Sequence, residues 1–206
     1  MPSSFDNEME EREVETLASL AEDIVFRLPG CTDVMIRKTI ASVYRDFCRK
    51  TSALVTRRKV DLVRGVTHYG VSPLLRGCVV DCIRSATVRH RDIRPTVMPD
   101  GTVVVDRRFL PVDHNPIPMF LEVVEMPGIG CEEAPRWFID KYGDAIVSGV
   151  LGQLMSMTGR AWSDPQVASD ERMKFNSALT EARTRSCTGG QMSAGKLNFI
   201  KRGNLL

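Results

Sequence analysis

Residues 135–185 read PRWFIDKYGDAIVSGVLGQLMSMTGRAWSDPQVASDERMKFNSALTEARTR, and this stretch decides the fold prediction. Apolar residues recur every three or four positions on both sides of a turn at 158–163, as on helices with one buried face. Gly159 is suited to end the first helix, and Ser163 to cap the second. The stretch therefore predicts two antiparallel helices joined by a short turn.

Finer features of these two helices can also be predicted. Pro135 suits the first turn of the first helix, where its missing N–H would be unpaired in any case. Either Asp164 or Pro165 opens the second helix, whose apolar stripe is thinner, and Glu171 on it is predicted to face water. Small residues on a packed helix usually mean that a neighbour approaches closely. The first helix contains three such residues, Gly143, Gly149 and Gly152.

Two further helices are predicted at the start of the chain. The first runs from Met9 to Leu28 and is ended by Pro29-Gly30, and the second, over 33–51, is capped by Thr32 or Asp33. The second helix has one apolar face and one basic face. Its basic residues are Arg37, Lys38, Arg45, Arg49 and Lys50. Four amphipathic helices are enough to bury one shared core if the two ends of the chain meet.

The predicted core of this four-helix bundle takes apolar residues from three of the helices. They are Ile40, Tyr44, Phe47, Phe138, Tyr142, Ile146, Val150, Leu154, Phe175 and Leu179.

Between the helices the composition shifts to β-branched residues, prolines and arginines, and the apolar period shortens to two, which is typical of strands. Pro99-Asp100-Gly101 is a hairpin-turn sequence. The candidate strands are Val55–Arg64, Val66–Val71, Val79–His90, Ile93–Val97, Thr102–Phe109 and Phe120–Glu125. Prolines 111, 116, 118 and 127 are predicted to lie in loops. We therefore predict a small antiparallel sheet or sandwich inserted between the helices.

The fold class is accordingly α+β, a four-helix-bundle domain with an inserted antiparallel β domain and an extended C-terminal tail. The predicted boundaries are 1–54 for the N-terminal helices, 55–130 for the β domain, 131–187 for the C-terminal helices and 188–206 for the tail.

Composition narrows the class of protein. The 206 residues are 43% hydrophobic and 26% charged, as in a soluble globular protein. No apolar run approaches the ~20 residues of a membrane span, and Met1-Pro2-Ser3-Ser4 followed by acids does not resemble a signal peptide. We expect a protein made and folded in a cytoplasm, without membrane contact, with its six cysteines reduced and mostly buried.

The two ends of the chain differ in the sign of their charge. Residues 6–23 carry eight acids against Arg12 alone, whereas every charge after Glu181 is positive. Opposite charges at the two ends would favour head-to-tail contact between copies of the chain. Two separate charged surfaces that simply face water explain the pattern equally well.

The tail 188–206 begins with a Gly- and Ser-rich linker that has too little apolar content to fold alone. Its end alternates apolar and polar residues, so it could add as a strand to the sheet of another protein, or remain a disordered end. The residues of this candidate docking segment are Lys196, Leu197, Asn198, Phe199, Ile200, Lys201 and Arg202.

Candidate chemistry is sparse. Cys78 and Cys82, with His68 and His90 nearby in sequence, are the only residues that resemble a zinc site, and the signal is weak. The spacing of the two cysteines is explained better if both lie in the core, on one buried face of a strand. Gly128-Ile129-Gly130 lacks the full context of a phosphate-binding loop and is interpreted as a turn. No nucleophile motif accompanies the histidines. We therefore expect no catalysis, no metal and no cofactor.

Ten arginines lie in the predicted β domain, partly offset by aspartates, which indicates a solvated, salt-bridged sheet. Few aromatic residues are interleaved with them, so base stacking is not indicated, although such arginines could still contact a DNA backbone without reading its sequence.

In order and spacing, a series of segments over residues 20–190 resembles the head-to-tail adaptor (neck, or connector-completion) proteins of tailed double-stranded-DNA phages. The segments are Leu28-Pro29-Gly30-Cys31, Ile36-Arg37-Lys38-Thr39-Ile40, Tyr44-Arg45-Asp46-Phe47-Cys48-Arg49-Lys50-Thr51, Pro135-Arg136-Trp137-Phe138, Tyr142-Gly143-Asp144-Ala145-Ile146, Met157-Thr158-Gly159-Arg160-Ala161-Trp162-Ser163-Asp164-Pro165 and Glu181-Ala182-Arg183.

This resemblance implies a virion structural protein that assembles as a twelve-fold ring beneath the portal, in the neck between capsid and tail. It implies that the tail 188–206 docks on the portal protein, that the β domain faces a tail nozzle, tail tube or tail fibres, and that double-stranded DNA passes through the lumen. Two alternatives stay open. One is a small DNA-binding or regulatory module that uses the basic helix 33–51 and the arginine-rich insert. The other is an enzyme with a zinc site at Cys78, Cys82 and His90.

Overall fold

A computed structural model describes residues 14–98 and 100–187. It confirms a mixed α+β protein with antiparallel sheets. The helices in this part of the chain are α1 (Ser19–Val25), α2 (Asp33–Thr51), α3 (Arg136–Leu154) and α4 (Pro165–Cys187). The strands are β1 (Val14–Thr16), β2 (Val55–Leu62), β3 (His68–Gly70), β4 (Cys78–Val88), β5 (Arg91–Ile93), β6 (Thr96–Val97), β7 (Thr102–Val104), β8 (Ile117–Pro127) and β9 (Glu133–Pro135).

All four helices contribute to one hydrophobic cluster. Its centre is aromatic: the rings of Tyr44 and Phe138 lie 5.2 Å apart edge to face, and those of Phe47 and Tyr142 lie 5.1 Å apart. The first eight residues of the predicted core, from Ile40 to Leu154, are buried. Phe175 and Leu179 on α4 are partly buried against the same cluster. Helix α4 thus covers the cluster from its outer side.

The β region forms two sheets over a second cluster. One sheet has four antiparallel strands in the order β2-β8-β4-β5, and the other has three in the order β3-β7-β6. Tyr69 on β3 and Val103 on β7 pack into the same cluster as Met119 and Leu121 on β8. The antiparallel sheets were predicted, and of the two forms that the prediction left open, a single sheet or a sandwich, the two sheets over one cluster correspond to the sandwich.

The four-stranded sheet has a base next to the helices and a distal end away from them. At the base, Cys78 is paired with Pro127, and Leu54, which precedes β2, belongs to the helical cluster. At the distal end, Val88 is opposite Met119, and the turn to β5 consists of Arg89 and His90. Both have positive φ, 49° and 62°, as a two-residue hairpin turn that follows the strand twist requires.

The predicted helix from Met9 to Leu28 is confirmed only in part over its described residues. Residues Val14–Thr16 form β1, which pairs antiparallel with β9, and only Ser19–Val25 are helical. The apolar spacing is compatible with a helix, but the backbone of 14–16 hydrogen-bonds with the segment before α3. Leu17 N donates to Glu132 O at 2.9 Å and extends this pairing. Tertiary pairing has overridden local propensity here.

The ends of the two C-terminal helices differ from the prediction. Pro135 lies in β9 and precedes the helix, with ψ of 142°, and α3 ends at Leu154 rather than at Gly159. The N-cap of α4 is Asp164, not Ser163, because the Asp164 carboxylate accepts the N–H groups of residues 166 and 167 at 3.1 Å. Pro165 is then the first helical residue. A carboxylate at this position also faces the positive end of the helix dipole.

Several strand boundaries also move. The predicted strand Ile93–Val97 is divided between β5 and β6, and Thr102–Phe109 ends at Val104 and continues into a short 3₁₀ turn. Strand β8 is longer than predicted, and it includes Pro118 and Pro127 near its two ends, which had been predicted as loop residues. A proline is tolerated at a strand end, where the lost N–H bond costs least.

Glu171 is buried, although it was predicted to face water. It accepts Arg27 Nη2 at 2.8 Å and Lys174 Nζ at 3.0 Å, so α4 is tied to the segment after α1. Burial raises the pKa of Glu171, but hydrogen bonds from Ser148, Arg27 and Lys174 outweigh burial and hold the pKa below its ordinary value. The partners of this buried carboxylate keep it ionised, which the amphipathic pattern did not show.

The close helix contact predicted from the glycines is present at Gly149. A Cβ atom there would lie 2.6 Å from Val43 Cγ1 and 2.8 Å from Phe175 Cδ2. At Gly143 in the same helix, the nearest atom would be the mobile end of Leu20, at 3.3 Å. We expect Gly149→Ala to be less stable than Gly143→Ala by about 1–3 kcal/mol, because both gain the same helix propensity and only the first is overpacked.

Urea unfolding followed by circular dichroism would measure the two free energies of unfolding. Equal stability of the two variants would mean that α2 and α4 move apart at Gly149 without cost.

Candidate assembly surfaces

The C-terminal end of α4 is fixed at the junction between the helices and the sheet. Arg84 Nη2 on β4 donates to the Ser52 carbonyl at 2.7 Å and to Ser186 Oγ at 2.5 Å. Ser186 Oγ in turn donates to the same Ser52 carbonyl at 3.1 Å. Ser52 caps α2 in the left-handed conformation, with φ of 49°. We call Ser52, Arg84 and Ser186 the tail root, because residues 188–206 follow directly.

The tail root connects three elements that are far apart in sequence. Arg84 is separated from Ser52 by 32 residues and from Ser186 by 102. A hydrogen bond from a charged donor contributes about 1.5–3 kcal/mol. The last turn of α4 is therefore held to the end of α2 and to the sheet. The predicted docking residues from Lys196 to Arg202 lie outside the described residues, as do the acids at positions 6–13.

The basic face of α2 is partly neutralised by acids on the same helix. Arg37 Nε bonds to Asp33 at 2.7 Å, and Asp46 accepts Arg49 at 2.6 Å and Lys50 at 3.5 Å. Exposed pairs of this kind are worth only ~0.3–0.5 kcal/mol each, but they reduce the positive field that a phosphate backbone would meet. Helix α2 is thus a mixed-charge surface, although its sequence indicated a basic one.

The ten arginines of the β domain divide into two groups. In the first, Arg58 and Arg57 pair with Glu125 and Glu122 across β2 and β8, Arg108 pairs with Asp106, and Arg84 belongs to the tail root. The remaining arginines are exposed. They are Arg64, Arg76, Arg89, Arg91, Arg94 and Arg107. Arg89 and Arg91 flank His90 at the distal end of the sheet, where Asp61 and Asp92 are exposed as well.

The predicted cysteine and histidine cluster does not converge. Cys78 is buried and Cys82 is exposed, so the expectation that they share one buried strand face is wrong. The reason is an irregularity in the pairing of β4 with β8 between Val80 and Cys82, which shifts the alternation. His90 lies in the turn beyond the far end of β4. Within residues 14–98 and 100–187, no group of three His, Cys, Asp or Glu side chains is placed to hold a metal ion.

The cysteines of the described chain are all free thiols. Cys48, Cys78 and Cys131 are buried, Cys31 is half-buried, and Cys82 and Cys187 are exposed. Burial raises the pKa of Cys48 well above its ordinary value, so this thiol is uncharged and packs as an apolar group.

A cleft of about 290 Å³ opens between α2, α3 and α4. Val43 and Phe175 line its apolar side, and Asp46, Gln153 and Arg172 line its polar side. This lining of aliphatic, aromatic and mixed-charge groups is typical of a protein contact surface. It contains no histidine or cysteine that could act as a nucleophile or general base.

A buried carboxylate at the base of the β domain was not predicted from the sequence. Glu125 on β8 is 0% exposed and accepts Thr56 Oγ1 at 2.7 Å and Arg58 Nη2 at 2.8 Å. It also accepts the backbone N–H of Leu74 at 2.9 Å. One side chain thus holds the loop before β4 against β2 and β8. Strand β8 contains two acids, Glu122 and Glu125, and the sequence alone does not show which of them is buried.

None of the helices in the described part of the chain combines the length and apolar content needed to cross a membrane. No protein-family model matches the sequence, and no curated protein matches it significantly.

Proposed function

We propose that this protein is a virion structural protein, a head-to-tail adaptor that forms a twelve-fold ring between the portal and the tail of a tailed double-stranded-DNA phage. In this proposal the four helices form the bundle of the adaptor domain, and the tail 188–206 docks on the portal protein. The proposal rests first on the resemblance of the ordered segments between residues 20 and 190, quoted above, to such adaptors. It places the protein in the neck of the particle, after assembly in the host cytoplasm.

The observation that supports the proposal most is the tail root. A tail that is to reach another protein needs a fixed starting point, and the bonds of Arg84 to Ser52 and Ser186 provide one. The fixed end lowers the conformational entropy that the tail loses when it binds, because only residues beyond it must be ordered. The same bonds join the end of α4, from which residues 188–206 continue, to the β domain. The contact of residues 188–206 with the portal and the contact of the β domain with the phage tail would therefore be mechanically linked.

The distal end of the β domain is the proposed contact with a tail nozzle, tail tube or tail fibres. It lies at the opposite end of the sheet from the helices and carries Arg89, His90 and Arg91. Exposed arginines elsewhere on the β domain, such as Arg76 before β4, are proposed to line the lumen and contact the DNA backbone without reading its sequence.

Deletion of residues 188–206 tests the docking role of the tail. We expect a folded chain with an unchanged circular dichroism spectrum that no longer co-sediments with the portal ring of the same phage. The matched control keeps all nineteen residues in shuffled order, which preserves their charge but removes the alternation of Leu197 and Phe199. Portal binding by the deleted chain would reject the docking role.

The DNA-binding alternative is favoured by the exposed arginines of the β domain and weakened by the ion pairs on α2. It predicts that the isolated monomer binds duplex DNA with an affinity that falls steeply as salt increases. Charge reversal of Arg89 and Arg91 would reduce that binding without affecting attachment to the portal.

A further inference from the structure

Two buried thiols meet at the base of the β domain. Cys78 is the first residue of β4, and Cys131 lies in the loop between β8 and β9. Their Sγ atoms are 3.5 Å apart, although the two residues are separated by 53 positions. Cys131 Sγ also lies 3.4 Å from the Glu133 carbonyl. The contact joins the start of one central strand to the segment that leads back to the helices.

The backbone path places these thiols close together, so their contact does not depend only on the rotamers of the two cysteine side chains. Gly128 N donates to the Gly77 carbonyl at 2.8 Å. A Cβ atom on Gly128 would lie 2.5 Å from that carbonyl oxygen, so only glycine permits this contact. A Cβ atom on Gly77, which has φ of +76°, would lie 3.4 Å from the Cα of Cys131. Two glycines therefore hold the turns before Cys78 and before Cys131 in direct contact.

The surroundings of the pair make its two members unequal. The hydrogen bond from Cys78 lowers the pKa of Cys131, whereas the same bond, together with burial, raises the pKa of Cys78. Cys131 is thus the thiol that ionises, and the thiolate is the reactive form. Cys131 is itself only 2% exposed, and its neighbours Gly130 and Glu132 are exposed.

We propose that Cys78 and Cys131 are a redox pair that a peroxide converts to a disulfide, locking the base of the β domain to the segment before α3. The Cys131 thiolate attacks one peroxide oxygen, so that an S–O bond forms as the O–O bond breaks and a hydroxide leaves. The Cys78 sulfur then attacks the Cys131 sulfur, and the S–S bond forms as the S–O bond breaks. The two thiols lose two electrons and two protons, and hydrogen peroxide is reduced to two waters.

The geometry requires only a small movement. The sulfurs must close from 3.5 Å to the ~2.05 Å of a disulfide, within two turns that already touch. The bond would close a loop that contains β4 to β8, so its effect is concentrated on the β domain. This inference does not depend on the proposed adaptor role.

The test uses the full chain carrying Cys82→Ser. Trypsin places Cys78 and Cys82 on one peptide, 77–84, and Cys131 alone on peptide 109–136, so this variant assigns any cross-link to Cys78. The reduced protein is treated with hydrogen peroxide, its remaining thiols are alkylated in denaturant, and the digest is analysed by mass spectrometry without reductant. We expect the two peptides joined with the loss of two hydrogens, and separation of the peptides by dithiothreitol.

A second readout is thermal unfolding. The oxidised protein should melt roughly 5–10 °C higher than the reduced protein, and Cys131→Ser should show neither the linked peptide nor the shift. The linked peptide in the Cys82→Ser chain decides the question even if Cys131→Ser does not fold. Alkylation of both Cys78 and Cys131 after peroxide treatment, or linkage of Cys131 to Cys48, would overturn the proposal.

Discussion

Replacement of Phe47 by alanine is expected to lower the free energy of unfolding by about 3–5 kcal/mol. Phe47 is fully buried, and its ring centroid lies 5.9 Å from that of Phe138, 5.1 Å from Tyr142 and 6.0 Å from Phe175. It therefore joins α2 to both α3 and α4. The variant loses the transfer free energy of a phenyl ring, the edge-to-face contact with Phe138, the tilted ring contacts with Tyr142 and Phe175, and the packing around the resulting cavity.

A loss of this size is a large fraction of the ~5–15 kcal/mol of a typical domain. We therefore also expect the variant to expose its helical cluster at 37 °C and to aggregate. Phe26→Ala is the matched control, because the same change is made at a side chain that is 87% exposed, and it should cost less than about 0.5 kcal/mol. Chemical denaturation measures both values. Similar losses in the two variants would contradict the assigned core.

Replacement of Glu125 by alanine should cost about 3–5 kcal/mol. The change leaves the guanidinium of Arg58, which is largely buried, without its carboxylate, and it leaves Thr56 Oγ1 and the N–H of Leu74 without their acceptor. Unpaired buried donors each carry the full cost of their lost hydration. We expect the loop before β4 to separate from the sheet, with faster hydrogen exchange at Leu74 and Leu75.

Glu122→Ala is the matched control for Glu125→Ala, because it removes an exposed ion pair instead of a buried one. Glu122 lies three residues earlier on the same strand and pairs with Arg57 at 3.6 Å, where both side chains are partly exposed. Such a pair is worth ~0–1 kcal/mol, so its loss should scarcely change stability. A loss of under 1 kcal/mol at Glu125 as well would mean that water replaces the carboxylate without penalty and that the network has no structural role.

Periodicity predicted the long helices well because their burial follows one face. Phe47 on α2 and Phe138 on α3 lie on apolar stripes with helical spacing, and both are fully buried. Glu171 did not follow this rule. Its neighbours in sequence place it on a polar stripe, but Arg27, 144 residues away, makes its burial favourable. A pairing over that distance leaves no trace in local spacing.

The N-terminal strand shows a second limit of local patterns. Val14–Thr16 fit the helical spacing that continues to Ile24, and the strand forms only because β9 offers its backbone. The tail root and the Cys78–Cys131 contact likewise form only because the fold brings together segments that are distant in sequence. Ser52, Arg84 and Ser186 are unremarkable in the sequence, and only the return of α4 to the end of α2 brings them together. The elements were therefore more predictable than the contacts between them.

The most direct test of the adaptor proposal is the native mass of the chain alone and after mixing with the portal ring of the same phage. We expect a monomer alone and, after mixing, addition of twelve copies per twelve-fold portal, because each tail 188–206 would occupy one portal subunit. Addition in a multiple that matches the symmetry of the portal supports assembly templated by the portal. If no copies add to the portal at low salt while the chain is retained on duplex DNA, the adaptor proposal is wrong.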